Sequence, residues 1–150
     1  MPDDERLRII ALDAEDLAIL SAHVQDAVLK VKDIRWLPRD GHFVLAMNRF
    51  VWEAAAVATW RKREYMRRRA VLHLARVIKV QSIGIDRDKP ETVLNLLAVR
   101  FEPGESPSGD VVLEFAGGAA IRLAAEVLEA ELTDLGPAWS TPHAPRHVIA

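Results

Sequence analysis

Cysteine is absent from the 150 residues, which excludes a disulfide-stapled fold, thiolate zinc sites, iron–sulfur clusters and cysteine nucleophiles together. Also lacking is any apolar run near the roughly 18 residues that a membrane span needs. The chain begins Met1-Pro2-Asp3-Asp4-Glu5, the reverse of the basic start of a secretory signal. A cytoplasmic location with no membrane partner is therefore expected. Glycine is scarce, at 7 residues, and none of them forms a Walker loop, a Gly-x-Gly-x-x-Gly turn or a nucleophile elbow. Gly117-Gly118 follows a strand-like run without the spacing of a phosphate cradle. An excess of one charge sign is missing too. With 20 Lys plus Arg against 22 Asp plus Glu and a net charge of −2, the chain is not a generally basic nucleic-acid binder.

What is present is an ordinary globular composition, 50% hydrophobic and 28% charged. A chain of this length buries roughly 68–70% of its unfolded surface, enough for one core. We read residues 1–136 as a single domain and 137–150 as a flexible tail, because prolines at 137, 142 and 145 interrupt regular structure.

The small net charge hides an uneven distribution. Residues 1–60 carry −3, residues 61–100 carry +7 and residues 101–150 carry −6. Such asymmetry points either to a partner or to pairing between segments, and internal pairing is the default.

Residues 7–12 read as a first strand, with Asp13 as N-cap and Glu15 and Asp16 in the first turn of a helix whose stripe is Leu17, Leu20, Val24 and Val28. From about Ala27 the period changes. A β-hairpin is expected around Pro38-Arg39-Asp40-Gly41, followed by a strand over 42–50. Residues 51–69 fit a loop or a short helix equally, and 70–83 are β-rich and long enough to hold a dividing turn or bulge. A polar loop over 84–91 leads into a short helical turn through Leu94, then a strand over 96–102 and a turn over 103–109. Residues 111–115 and 119–123 form a second hairpin. Residues 124–135 stay open between a C-terminal helix closed by Gly136-Pro137 and a bulged strand. The fold class is α+β: an N-terminal helix packed on a mainly antiparallel, hairpin-rich sheet.

The strongest motif is the basic run after Trp60, in which Arg61, Lys62, Arg63, Arg67, Arg68 and Arg69 share nine residues with Tyr65. Guanidinium groups grip phosphate bidentately and aromatic rings stack bases, so these six cations are candidate anion-binding residues. Set beside that is a solvated loop whose arginines pair with the acidic last third. Trp52, Trp60 and Tyr65 are candidate interaction residues, able to bury an apolar patch in a protein partner or a homodimer. The histidines at 23, 42, 73, 143 and 147 lack metal-ligand spacing, so neither a metal nor any other cofactor is expected. Asp86 and Asp88 share a loop and could hold a cation, but such loops are usually just polar.

Segments over 10–18, 21–28, 48–53, 67–73, 84–87 and 97–105, including Ile10-Ala11-Leu12-Asp13, Arg67-Arg68-Arg69 and Phe101-Glu102-Pro103-Gly104-Glu105, together resemble an uncharacterised bacterial family of unknown function, family 2948. The resemblance covers about residues 7–139. It implies a small single-domain cytoplasmic protein and brings no established activity, cofactor or catalytic residue. The function expected is a non-enzymatic interaction or assembly module. The alternatives are a nucleic-acid or anionic-ligand binder through residues 61–69, with nucleic acid the less favoured partner, and an enzyme gathering residues such as His73, Asp86 and Arg100 in a pocket.

Overall fold

The computed structural model describes residues 6–52, 65–136 and 139–141. Strand β1 (Arg8–Ala11) leads into helix α1 (Ala14–Val24). The Asp13 carboxylate accepts the Asp16 N–H at 2.8 Å, and Glu15 and Asp16 fill the first turn, where the helix dipole favours anions. The buried stripe is Leu17, Leu20 and Val24. Asp26, with φ 63°, then turns the chain into β2 (Ala27–Lys30). A 3-10 turn over Val31–Asp33, held by the Lys30 N–H on the Asp33 carboxylate at 2.9 Å, separates β2 from β3 (Ile34–Leu37).

The remaining strands are β4 (His42–Phe50), β5 (Tyr65–Leu74), β6 (Val77–Ile83), β7 (Val93–Pro103), β8 (Gly109–Phe115), β9 (Ala120–Ala125), β10 (Ala130–Asp134) and β11 (Trp139–Thr141). They form one sheet in the order β1-β10-β5-β4-β2-β7-β8-β9-β6, with β3 also on β4 and β11 also on β5. Every pairing is antiparallel. Strand periodicity supplies the core: Phe43, Leu45 and Met47 of β4, Ala70, Leu72 and Leu74 of β5, and Leu113, Leu123 and Leu132 of β8, β9 and β10 point inward with the helix stripe. Each fully buried Leu contributes about 1.5–3 kcal/mol. β2 covers β7 only as far as Leu96. Beyond it α1 takes over, and Ser21 Oγ accepts the Val99 N–H at 2.9 Å.

The α+β class, the capped first helix and both expected hairpins are present, and Arg76, with φ 59°, is the turn dividing residues 70–83 into β5 and β6. Three local expectations are corrected, and the open alternative over 124–135 is decided for strand. Residues 65–69 belong to a strand rather than a loop or short helix; the alternating pattern is masked there because Arg68, not an apolar residue, fills the inward position beside Ala70. The short helical turn through Leu94 is the start of β7, where Leu94 pairs with Leu29. No C-terminal helix forms over 124–135. β9 runs to Ala125, and Ala130, Leu132 and Asp134 then alternate inward along β10. Trp139–Thr141, within the segment read as an irregular tail, pair with Arg67, Met66 and Tyr65. The helix-or-loop alternative for residues 53–64 lies outside the described residues.

Candidate functional site

The candidate anion-binding residues divide by location. Arg61, Lys62, Arg63 and the interaction candidate Trp60 lie outside the described residues. Arg67, Arg68 and Arg69 sit on β5, opposite Phe50, Arg49 and Asn48 of β4. Alternation sends Arg68 inward, where it and Arg49 are both buried. Between them lies the Asp134 carboxylate. Arg49 Nε and Nη2 donate to its two oxygens at 2.8 and 2.9 Å, Arg68 Nε is 3.9 Å away, and the Leu7 N–H donates at 2.8 Å. Arg68 also donates to the Gly136 carbonyl at 3.1 Å. Burial alone would raise the Asp134 carboxyl, but the Arg49 and Leu7 hydrogen bonds and the two guanidinium charges hold it below the ordinary range.

The flanking arginines are also engaged. Arg67 is half-buried, its guanidinium 5.8 Å from the centre of the Phe50 ring, donating to the carbonyls of Asp26 and Asn48 at 3.4 and 3.3 Å. Burial lowers its pKa, partly offset by the charge of Asp26. Arg69 reaches Asn48 Oδ1 at 3.1 Å and Asp33 Oδ1 at 3.4 Å. Trp52 donates its indole N–H to the Gln25 carbonyl at 2.9 Å and packs edge-on against Phe50 at 4.5 Å. Tyr65 is placed by its backbone alone, opposite Thr141.

Pairing between the basic middle and the acidic last third is realised in several places. Arg68 meets Asp134, Arg76 meets Glu129 at 4.0 Å, and Arg100 meets Glu114 at 2.8 Å and also Glu102. Arg122 bridges Glu102 and Asp110 at 2.6 and 2.8 Å, which completes a charged ladder across β7, β8 and β9. Arg69 departs from this pattern by pairing with Asp33 in the first third.

His73, Asp86 and Arg100 are not brought together. His73 stacks edge-on against His42, ring centres 4.6 Å apart, and lines a recess of about 200 Å³ with Glu129 and Glu131. Burial and the His42 charge lower its pKa against the opposing pull of Glu131 and Glu129. Asp86 instead closes its own loop by accepting the Asp88 N–H at 2.9 Å. Among the described residues no group of three or more His, Asp or Glu side chains could hold a metal ion.

A larger concavity, of about 580 Å³, opens between β3 and β6, within the 300–1,000 Å³ range of ligand sites. Its floor is Phe43 of β4 and Ile121 of β9, and its walls are Ile34 and Trp36 of β3 and Val80 and Ser82 of β6. Among the described residues both lips are edges, since β3 pairs there with β4 alone and β6 with β9 alone. The lips meet at one corner, where the Val77 N–H donates to the Gly41 carbonyl at 2.9 Å. Gly41 is required there. Its φ is +68°, and a Cβ would stand 3.2 Å from the Val77 carbonyl oxygen. At the other end the Lys32 N–H donates to the Pro90 carbonyl at 3.0 Å.

The charged residues lining this cleft are Lys32 and Arg87. Lys32 Nζ lies 2.8 Å from Glu91, which also receives Lys30 at 2.8 Å. The two ammonium groups hold the Glu91 carboxyl at about 2, and Glu91 in turn raises the pKa of Lys32. Sequence reasoning missed this cleft. The signals available were Trp36 and Lys32, one beside and one within the alternating run that precedes the first hairpin, but nothing local shows that β6 arrives opposite β3.

The family described as protein of unknown function (DUF2948) matches residues 7–147. The chain belongs to this family. The matched residues include the whole β3–β6 cleft and the Arg49–Arg68–Asp134 cluster. No curated protein and no solved structure matches the chain. Among the described residues no helix is long and apolar enough to cross a membrane.

Proposed function

We propose that this member of the family is a non-enzymatic interaction module that holds its partner in the β3–β6 cleft. The observation that carries this reading is the cleft itself: two edge strands stand apart over the floor of the core and leave inward-facing Ile34, Trp36 and Val80 only partly covered. Apolar walls, strand edges carrying backbone donors and acceptors, and a few charged groups at the rim are the ingredients of a recognition site. The basic strand is the weaker candidate, because Arg67, Arg68 and Arg69 already hold carbonyls, an amide and carboxylates of their own chain.

A photo-activatable phenylalanine analogue tests this in cells that make the protein. Placed at exposed Ser82 it is expected to trap a defined adduct, lost in Trp36→Ala. Placed at Arg35, on the opposite face of β3, it is expected to trap much less. Adducts of equal yield from both positions would remove the cleft as the binding surface.

A further inference from the structure

Resting on the cleft reading, we infer that the partner is an extended peptide segment of another protein, about six residues long, alternating apolar and acidic side chains, added as a strand along β6. Three observations lead there. First, β6 is a seven-residue strand that among the described residues pairs only with β9, and beyond the corner bond from Val77 to Gly41 its other edge offers a ladder of backbone groups that no described residue takes up. Strand addition draws affinity from such an edge and specificity from alternate side chains.

Second, the two faces of the lips differ in chemistry with the period of a strand. Trp36, Val80 and Ile121 face the cleft, whereas Arg35 and Lys79 stand exposed on the outer faces of β3 and β6. A strand laid along β6 sends every second side chain into the cleft and the others outward. Apolar residues suit the inward positions and carboxylates the outward ones. Arg87, at the rim, adds a third cation, and among the described residues Arg35, Lys79 and Arg87 have no ion-pair partner.

Third, the lips discourage a second copy. β3 and β6 carry Arg35 and Lys79 and no acid, so pairing either strand with its own copy brings cations together. Lysine on an edge strand is a known device against self-association.

The test pans a random twelve-residue peptide display library against the full chain, with counter-selection on Trp36→Ala. Enriched peptides are expected to alternate Asp or Glu with apolar residues and to slow amide hydrogen exchange across residues 77–83. Their affinity is expected to fall about tenfold in the Lys79→Glu/Arg87→Glu double variant, a loss of about 1.4 kcal/mol, and to weaken with added salt. Both substituted positions are exposed, so the variant should retain its fold, checked by its thermal unfolding. Basic or helical peptides, a self-paired dimer through β6, unchanged exchange over 77–83, or no enrichment at all would overturn the inference. If Ser82 still traps an adduct when no acidic peptide binds, the cleft reading stands and the peptide class fails. If neither occurs, both fail.

Discussion

Two stretches of the same inner face meet opposite fates. At one, β4, β5 and β10 place Arg49, Arg68 and Asp134 where core residues would stand, and the charges are closed in by one another and by the Leu7 N–H. At the other, β3 and β6 carry apolar inward residues, but no strand of the described residues lies between them and a cleft stays open. The charged stretch is sealed and the apolar one is accessible, the reverse of what residue type alone suggests. Pairing partners, not polarity, decide which surface is left for a second molecule.

The largest expected effect comes from breaking the sealed stretch. Asp134→Ala leaves two buried guanidinium groups without their carboxylate and should cost about 3–5 kcal/mol in urea unfolding, as loss of one member of a buried pair does. Replacing Arg49, Arg68 and Asp134 together by Met, Met and Leu should recover most of that loss. If the triple variant is as unstable as Asp134→Ala, the charges matter through something other than their mutual compensation.

Acid should act in the same direction. The folded pKa of Asp134 lies below its ordinary value, so its stabilising contribution is complete above about pH 4–5 and disappears as pH falls through the folded value. The stability difference between the native chain and Asp134→Asn, followed by urea titration, should stay level from pH 6 to about pH 5 and narrow as the pH falls further. A difference independent of pH would contradict the assignment.

Much of the fold could be read from the chain, and the failures share a cause. Asp13, Leu17, Leu20 and Val24 announce α1 because cap and stripe are local features. The strand over 65–69 was hidden because Arg68 occupies an inward position, and only its distant partner Asp134 makes that tolerable. The same Asp134 obscured β10, whose inward set Ala130, Leu132 and Asp134 ends on a charge. Of the candidate site residues, Arg67, Arg68 and Arg69 were found by composition, but the contacts that occupy them come from β2, β4 and β10. The cleft needed the arrival of β6 beside β3, which depends on the Arg76 turn and the Val77–Gly41 bond and has no local sequence signal.

At the open stretch the effects should be smaller on stability and larger on binding. Trp36 is half-buried against Phe43, ring centres 6.4 Å apart, so Trp36→Ala should cost about 1–2 kcal/mol, well under the 3–5 of a fully buried aromatic, while abolishing capture from Ser82. A cost as large as that of a core tryptophan would mean that the cleft is closed in solution. The smallest effect belongs to Lys32→Gln, which should let the Glu91 carboxyl rise from about 2 toward its ordinary range in an NMR titration while thermal unfolding hardly changes. An unmoved Glu91 would show that Lys30 alone holds it.

The four tryptophans allow the comparison to be tested in one spectrum. With 5-fluorotryptophan incorporated and each fluorine resonance assigned by a single Trp→Phe substitution, the chain is titrated with the partner segment trapped from Ser82. The account predicts that the Trp36 resonance moves in proportion to occupancy while those of Trp52 and Trp60 stay in place. Movement of Trp52 or Trp60 with Trp36 unchanged would contradict it and return the binding surface to the basic segment.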